Sequence, residues 1–421
     1  MRFRALGLAG SLVLLMFVFA SCRPPESSAP LHQEAYVWRR AHTGAVADAL
    51  RAHAASFEQL VVLAAEVSWS AEGQPRIVRV PLNTEALKSA PSLGFAIRIN
   101  AFSGSFAPNS VSTRALAELA TSLLTNARAA GLRVTELQLD FDSPEKRLAD
   151  YRLWLSALRP RVAPVRLTFT ALPSWLKHSG DFSALAASSD SFVLQVHSLE
   201  RPKSADDAVT LCDPEAAHRS IRLAARFNRP FRVALPTYGY QLAFNPAGRF
   251  FALSAEGPTP RWPAGTIVRE LAADPAAIAN LVSQIKLRHP ESLTGIIWYR
   301  LPVSGDRLNW AWPTLASVMR GETPVARPSI EATTTGDGLI EYVAVNRGDA
   351  TFTGTLSATV TWRGAAYVAS DVLPPFALSA ESATTQTLST RTLRLAPGAR
   401  QSAGWLRLNQ APLSLHVSPS S

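Results

Sequence analysis

The chain has 421 residues, with 42 Lys or Arg against 32 Asp or Glu, and a formal net charge of +10. That length exceeds one typical domain and predicts two. The arginines are scattered and no basic run with interleaved aromatics occurs, which argues against nucleic-acid binding, whereas a basic surface favours anionic lipid or polysaccharide.

The first element is an address. Arg2 and Arg4 give a basic start, Ala5 to Phe19 is almost unbroken apolar sequence, and Ala20, Ser21 and Cys22 place small residues directly before a cysteine. This layout predicts a signal peptide over 1–21 with a bacterial lipobox. The apolar run falls short of the roughly 20 residues of a comfortable membrane span. Cleavage before Cys22 and lipidation of its thiol and new amino group are expected. The chain then reads as an exported cell-envelope lipoprotein. Arg23 after the cysteine predicts outer-membrane anchoring, facing the periplasm, in a Gram-negative host. Cys212 is the only other cysteine. With Cys22 lipidated, no intrachain disulfide is available and the fold must rest on its core. Residues 22–34 are rich in Pro and Ser and read as a short tether.

From residue 35, short β-rich runs alternate with amphipathic stretches. The runs are Tyr36 to Arg39, Leu60 to Val67, Gly94 to Phe102, Thr135 to Asp142, Arg166 to Leu172, Ser191 to His197, Phe231 to Tyr238 and Gly295 to Leu301. Helix-like spacing occupies 43–57, 111–130, 145–158, 213–227 and 275–289, with weaker connections around 82–90 and 181–188. Strands alternating with helices imply parallel strands and right-handed crossovers. Eight of them over residues 35–322 predict a (β/α)₈ barrel, an α/β fold. An open doubly wound sheet is the competitor, weakened by the lack of a glycine-rich phosphate loop after the first strand.

After Pro324 the pattern becomes all-strand. Leu339 to Val345, Phe352 to Trp362 and Leu406 to Val417 alternate, separated by turn signals such as Gly336, Asp337 and Gly338. Residues 328–421 therefore predict a C-terminal β-sandwich of immunoglobulin-like size. Its expected role is contact with an envelope partner, or support, rather than chemistry.

Active sites of such barrels lie at the carboxyl ends of the strands. In the fourth run, alternation turns Leu137, Leu139 and Phe141 towards the helices and Gln138, Asp140 and Asp142 into the barrel. Two carboxylates on one face need hydrogen bonds, a proton or a cation. Glu66 ends the second run, and Glu145 follows the fourth. Arg98 and Asn100 lie in the third run, Gln195 and His197 end the sixth, Tyr238 ends the seventh, and Trp298, Tyr299 and Arg300 lie in the eighth. Arg98 and Arg300 are candidates to neutralise the aspartates. Trp38, Trp69, Trp175 and Trp298 are candidate flat faces for sugar rings. No metal-ligand spacing, cofactor motif or nucleophile elbow occurs.

The stretch Leu137 to Tyr151, with the opening Ala35 to Arg40, Ala234 to Tyr240 and Gly295 to Pro302, resembles the bacterial lipoprotein family catalogued as domain of unknown function 3142. The resemblance covers roughly residues 35–320 and implies a barrel related to glycoside hydrolases. The fourth strand also resembles the D-x-D-x-E signature of family-18 glycoside hydrolases. There the glutamate is the general acid and the preceding aspartate orients an acetamido group. Asp140 and Asp142 match the two aspartates, but Pro144 stands where the glutamate would be, and Glu145 is one residue late. Trp298 resembles the tryptophan flooring the sugar site in that family.

Two readings follow. One is a lipid-anchored glycoside hydrolase with Asp140, Asp142, Glu66 and Glu145 as candidate acids and Trp38, Arg98, Asn100, Gln195, His197, Tyr238, Trp298 and Arg300 as substrate contacts. The other is a non-catalytic barrel that binds a glycan or an envelope partner.

Overall fold

The structure, a computed structural model, describes residues 25–255 and 260–419. The signal peptide and Cys22 lie outside the described residues.

Eight parallel strands close into a barrel. They are β1 (His32–Val37), β2 (Gln59–Trp69), β3 (Leu93–Ile99), β4 (Val134–Phe141), β5 (Arg166–Ala171), β6 (Ser191–Gln195), β7 (Phe231–Pro236) and β8 (Leu293–Tyr299). Each pairs with its successor, and β8 pairs back onto β1. Gly295 sits at that seam, where a Cβ would come within 2.9 Å of the His32 carbonyl oxygen. The expected (β/α)₈ barrel is therefore present. Its connections carry α1 (Gly44–His53), α2 (Thr84–Leu87), α3 (Val111–Ala129), α4 (Leu148–Val162), α5 (Ser179–Ala187), α6 (Pro214–Ala224) and α7 (Pro275–Leu287). Side chains of Thr43, Asn83, Ser110 and Asp213 cap α1, α2, α3 and α6 by accepting from backbone N–H groups of the first turn.

The barrel interior is layered. At its base Arg232 is ion-paired with both Glu34 and Glu136. Gln59 Nε2 and Thr168 Oγ1 donate to Glu136 at 2.8 and 2.6 Å. Burial alone would raise the Glu136 pKa, but Arg232, with the Thr168 hydroxyl and Arg166, holds it below the usual carboxylate value. Above this layer lie Tyr36, Val61, Ala96, Val193, Ala234 and Ile297. The Tyr36 hydroxyl donates to Gln138 Oε1 at 2.7 Å. An ionic base beneath an apolar middle departs from the branched apolar filling usual in these barrels.

The chain divides into two compact units. The first runs to Pro202 and includes Asp207–Pro236 and Gln284–Leu301, which together hold all eight barrel strands. The second comprises Lys203–Asp206, Thr237–Ser283 and Pro302–Ser421. Between Tyr238 and Asp274, where the sequence pattern assigned no element, it forms a three-stranded antiparallel sheet of Gly239–Phe244, Phe250–Ser254 and Ile267–Ala272.

It continues with α8 (Trp312–Arg320) and eight strands: β9 (Pro328–Gly336), β10 (Leu339–Asn346), β11 (Phe352–Arg363), β12 (Tyr367–Val372), β13 (Ala377–Glu381), β14 (Thr385–Leu395), β15 (Arg400–Leu408) and β16 (Ser414–Pro419). Two antiparallel sheets, β9-β10-β15-β12 and β13-β14-β11-β16, share one core that includes Ile340, Tyr342, Val360, Trp362, Leu388 and Leu406. The β9–β10 turn depends on Gly338, whose φ is +73° and whose Cβ would lie 2.4 Å from the Leu408 carbonyl oxygen.

Candidate functional site at the barrel mouth

β4 sets the site. Leu137, Leu139 and Phe141 are fully buried on its outer face, and alternation turns Glu136, Gln138 and Asp140 inward. Arg98 is in register with Asp140 on the neighbouring β3. A bulge in β2 between Leu63 and Ala65 brings Glu66 into register with Arg98. Three adjacent strands thus deliver Glu66, Arg98 and Asp140 to one level.

The charges form a chain along the rim. Arg40, just beyond β1, binds Glu66 through two nitrogens, Nε to Oε2 at 2.7 Å and Nη2 to Oε1 at 2.9 Å. Arg98 donates Nη1 to Asp140 Oδ2 at 2.8 Å and Nη2 to Asp142 Oδ2 at 2.7 Å. Thr170 Oγ1 on β5 donates to the other oxygen of Asp140 at 2.7 Å. Asp140 is nearly enclosed, with a side-chain exposure of 7%, whereas that of Asp142 is 47%.

The Arg40 hydrogen bond holds the Glu66 carboxyl below its usual range. For Arg98, burial disfavours the charge, but the two aspartates outweigh it and raise the guanidinium. Asp140 also rises, although a partner cation should lower it. Its burial, with Asp142 nearby, exceeds what Arg98 and Thr170 return.

Glu145 has its own partners. It lies in a short 3₁₀ turn after Pro144 and binds Lys177 Nζ and His178 Nε2, each at 2.8 Å. These hydrogen bonds pull its carboxyl down to about 2. It holds no proton near neutral pH.

Aromatic rings flank the charges. Trp38 and Tyr299, both half-buried, pack against the barrel's middle layer with ring centroids 5.6 Å apart. Trp38 meets Tyr36 at 5.5 Å, and His197 stacks on Tyr299 at 5.4 Å. Burial pushes the His197 imidazole down to about 3, so it is neutral. Gln195 Nε2 donates to the His197 carbonyl at 3.2 Å.

One expected contact is corrected. Trp298 is fully buried, and its indole N–H donates to Gln33 Oε1 at 2.9 Å. It faces away from the barrel interior and offers no surface to a sugar. Its neighbour Tyr299 takes the inward place, because Ile297 lies in the interior layer and strand alternation carries that face to residue 299. Arg300 is buried just beyond β8, and the guanidinium on the aspartates is that of Arg98. Asn100 is exposed, its backbone N–H bonded to the Val67 carbonyl at 2.9 Å. Tyr238 belongs to the second unit and packs edge-on against Tyr240 at 5.2 Å. Of the other tryptophans, Trp69 packs on Phe102 at 4.4 Å and Trp175 is buried.

The sequence reading missed Arg40 and Thr170, and it noted Tyr299 in the eighth run without giving it a role. Thr168 and Thr170 alternate along β5, a signal that was present. Among the described residues no group of three or more His, Cys, Asp or Glu is placed to hold a metal ion.

Residues 96–304 match the family described as Domain of unknown function (DUF3142). The DUF3142 match runs from within β3 to just past β8 and includes Arg98, Asp140 and Thr170. No curated protein matches the chain. Solved structures similar to it include a chitinase from Chromobacterium violaceum, at 15% identity and a TM-score of 0.48, covering 69% of this chain and 98% of that one. The Bacillus cereus spore cortex-lytic enzyme SleL is similar at 15% identity and a TM-score of 0.49, covering 69% and 74%. A family GH18 chitinase from Chromobacterium violaceum is similar at 11% identity and a TM-score of 0.41, covering 92% and 90%.

Proposed function

We propose that this chain is a lipid-anchored cell-envelope protein whose barrel mouth binds a glycan without hydrolysing it through a carboxylic acid pair. The observation that carries this reading is Arg98, which binds Asp140 and Asp142 at once. Most glycoside hydrolases place one protonated and one ionised carboxyl across the scissile bond, about 5–5.5 Å apart for retention or about 6.5–9.5 Å for inversion. Glu66 is locked to Arg40, and Glu145 is held ionised by Lys177 and His178. Pro144, in the place of the family-18 acid, has no proton to give.

The same groups suit recognition. Asp142 is half exposed, and its Oδ1 has no bonded side chain among the described residues, so it can accept from a sugar hydroxyl. Trp38 and Tyr299 offer rings against which the apolar face of a pyranose can stack.

Hydrolysis is the second reading, and one observation favours it. Burial raises the Asp140 pKa, which brings that carboxyl closer to proton-donating range.

A glycan array probed with the lipid-free protein, followed by product analysis on each hit, separates the two. Binding without product, weakened by Asp142→Asn and Trp38→Ala, is the expected result. Product formed by the wild type and lost in Asp142→Asn would establish the hydrolase instead.

A further inference from the structure

The expected tether is fastened to the barrel. Glu26 and Ser27 pair antiparallel with Pro290 and His289, just ahead of β8. The Glu291 N–H donates to the Pro25 carbonyl at 2.8 Å, and His289 Nε2 lies 3.1 Å from the Ala29 carbonyl. Arg288 is ion-paired with Glu26. These contacts lie at the base, where all eight strands begin, opposite the mouth. Cys22 precedes Pro25 by three positions. Three residues of fully extended chain span at most about 11 Å.

The base is also basic. Arg133, Arg161 and Arg226 are exposed in or beside the turns that lead into β4, β5 and β7. Lys88 and Arg288, ahead of β3 and β8, are already paired, with Glu85 at 2.7 Å and with Glu26. Leu287 beside Arg288 is 79% exposed. On the acidic side stand Glu58, Glu291 and Asp190, the last already paired with Arg159 at 2.7 Å.

We propose that the base of the barrel lies against an anionic membrane leaflet, with the mouth facing away from it. The proposal rests on the reading of Cys22 as lipidated. An acyl group held within about 11 Å of the base keeps the basic face near the lipid surface, where charges act over a Debye length of about 8 Å. A tilted strand of seven residues rises about 20 Å, so the Arg98–Asp140 level stands clear of the headgroups. The glycan meets the protein from the aqueous side.

The test uses the full-length protein in vesicles of phosphatidylcholine and phosphatidylglycerol that carry a headgroup quencher. Fluorophores go on Ser56→Cys, at the base, and on Ser105→Cys, in the loop after β3. Cys212 is buried and its thiol is pushed up to about 12, so it does not compete for label. The base probe should be quenched at least twofold more than the loop probe. Equal quenching, or the reverse, overturns the proposal.

Failure of the anchor is read separately, by mass analysis of the mature N-terminus. A Cys22→Ala chain should still co-sediment with phosphatidylglycerol vesicles and not with pure phosphatidylcholine. Salt, or the combined Arg133→Glu, Arg161→Glu and Arg226→Glu changes, should release it. Indifference to lipid charge rejects the basic base whatever the state of Cys22.

Discussion

Arg98 and Asp140 occupy paired positions on β3 and β4, and their ion pair of 2.8 Å closes the floor of the mouth. Asp140 is almost wholly enclosed, so its charge depends on this partner and on Thr170.

Arg98→Met should therefore destabilise the barrel by about 3 kcal/mol, the lower end for breaking a buried pair, since Arg98 itself is partly exposed. Adding Asp140→Asn should recover most of the loss, because no unpaired charge remains. The Asp140 pKa is already above its unfolded value in the native protein. Its contribution to stability is thus most favourable below the ordinary carboxyl value of 3.8 and is lost as pH rises through the folded value. Removing Arg98 steepens this dependence. Urea unfolding at pH 4 and pH 7 measures both effects; a single variant as stable as wild type at pH 7 would remove the clamp from the account.

At the opposite end, Arg232 is the cation for two buried glutamates, Glu34 and Glu136. Arg232→Met should cost at least about 3–5 kcal/mol, more than Arg98→Met, because both carboxylates lose their partner in an enclosed layer. The comparison of unfolding midpoints is direct. A cost below about 1 kcal/mol would mean that the base layer is hydrated.

The eight barrel strands were legible as short β-rich runs between amphipathic stretches, and the parity of β4 was legible because polar and apolar residues alternate there, which fixes the inward face. In β8, Ile296, Ile297, Trp298 and Tyr299 are apolar or aromatic on both faces. Nothing in that pattern says which ring enters the barrel, and Trp298 was placed on the wrong side. Glu66 lay within reach of the sequence reading, but its register with Arg98 depends on a bulge that composition does not announce. Arg40 comes from beyond its strand, and its bidentate contact with Glu66 is a tertiary fact. The sheet at Gly239–Ala272 was hidden because its short strands interrupt a barrel rhythm.

The neighbours Trp298 and Tyr299 offer a paired test. Trp298→Ala empties a fully buried site and should cost about 3–5 kcal/mol of stability. Tyr299→Ala should leave the fold largely intact and weaken glycan affinity by a few-fold to about tenfold, the effect of losing about 0.5–1.5 kcal/mol of ring contact. Thermal unfolding and titration of an array-identified glycan read the two effects. If Tyr299→Ala binds as wild type does, this ring does not touch the ligand.

Glu145 separates structural from catalytic carboxylates. Lys177 and His178 hold its carboxyl down to about 2, against an ordinary value of 4.5. A depressed acid stabilises the folded state above its unfolded pKa and loses that contribution as pH falls through the folded value. Wild type and Glu145→Gln should therefore differ most above pH 4.5 and converge near pH 2, with wild type the more stable above. The difference should be small, because the side chain is one-third exposed and its partners Lys177 and His178 are themselves solvated, so the pairs are screened. The same variant should bind glycan as wild type does, since Glu145 is engaged by its own cations. Were Glu145 a general acid, its loss would cost about 10²–10⁴ in rate on any substrate the array reveals. Melting curves from pH 6 to pH 2, together with product analysis of the variant, distinguish the two roles.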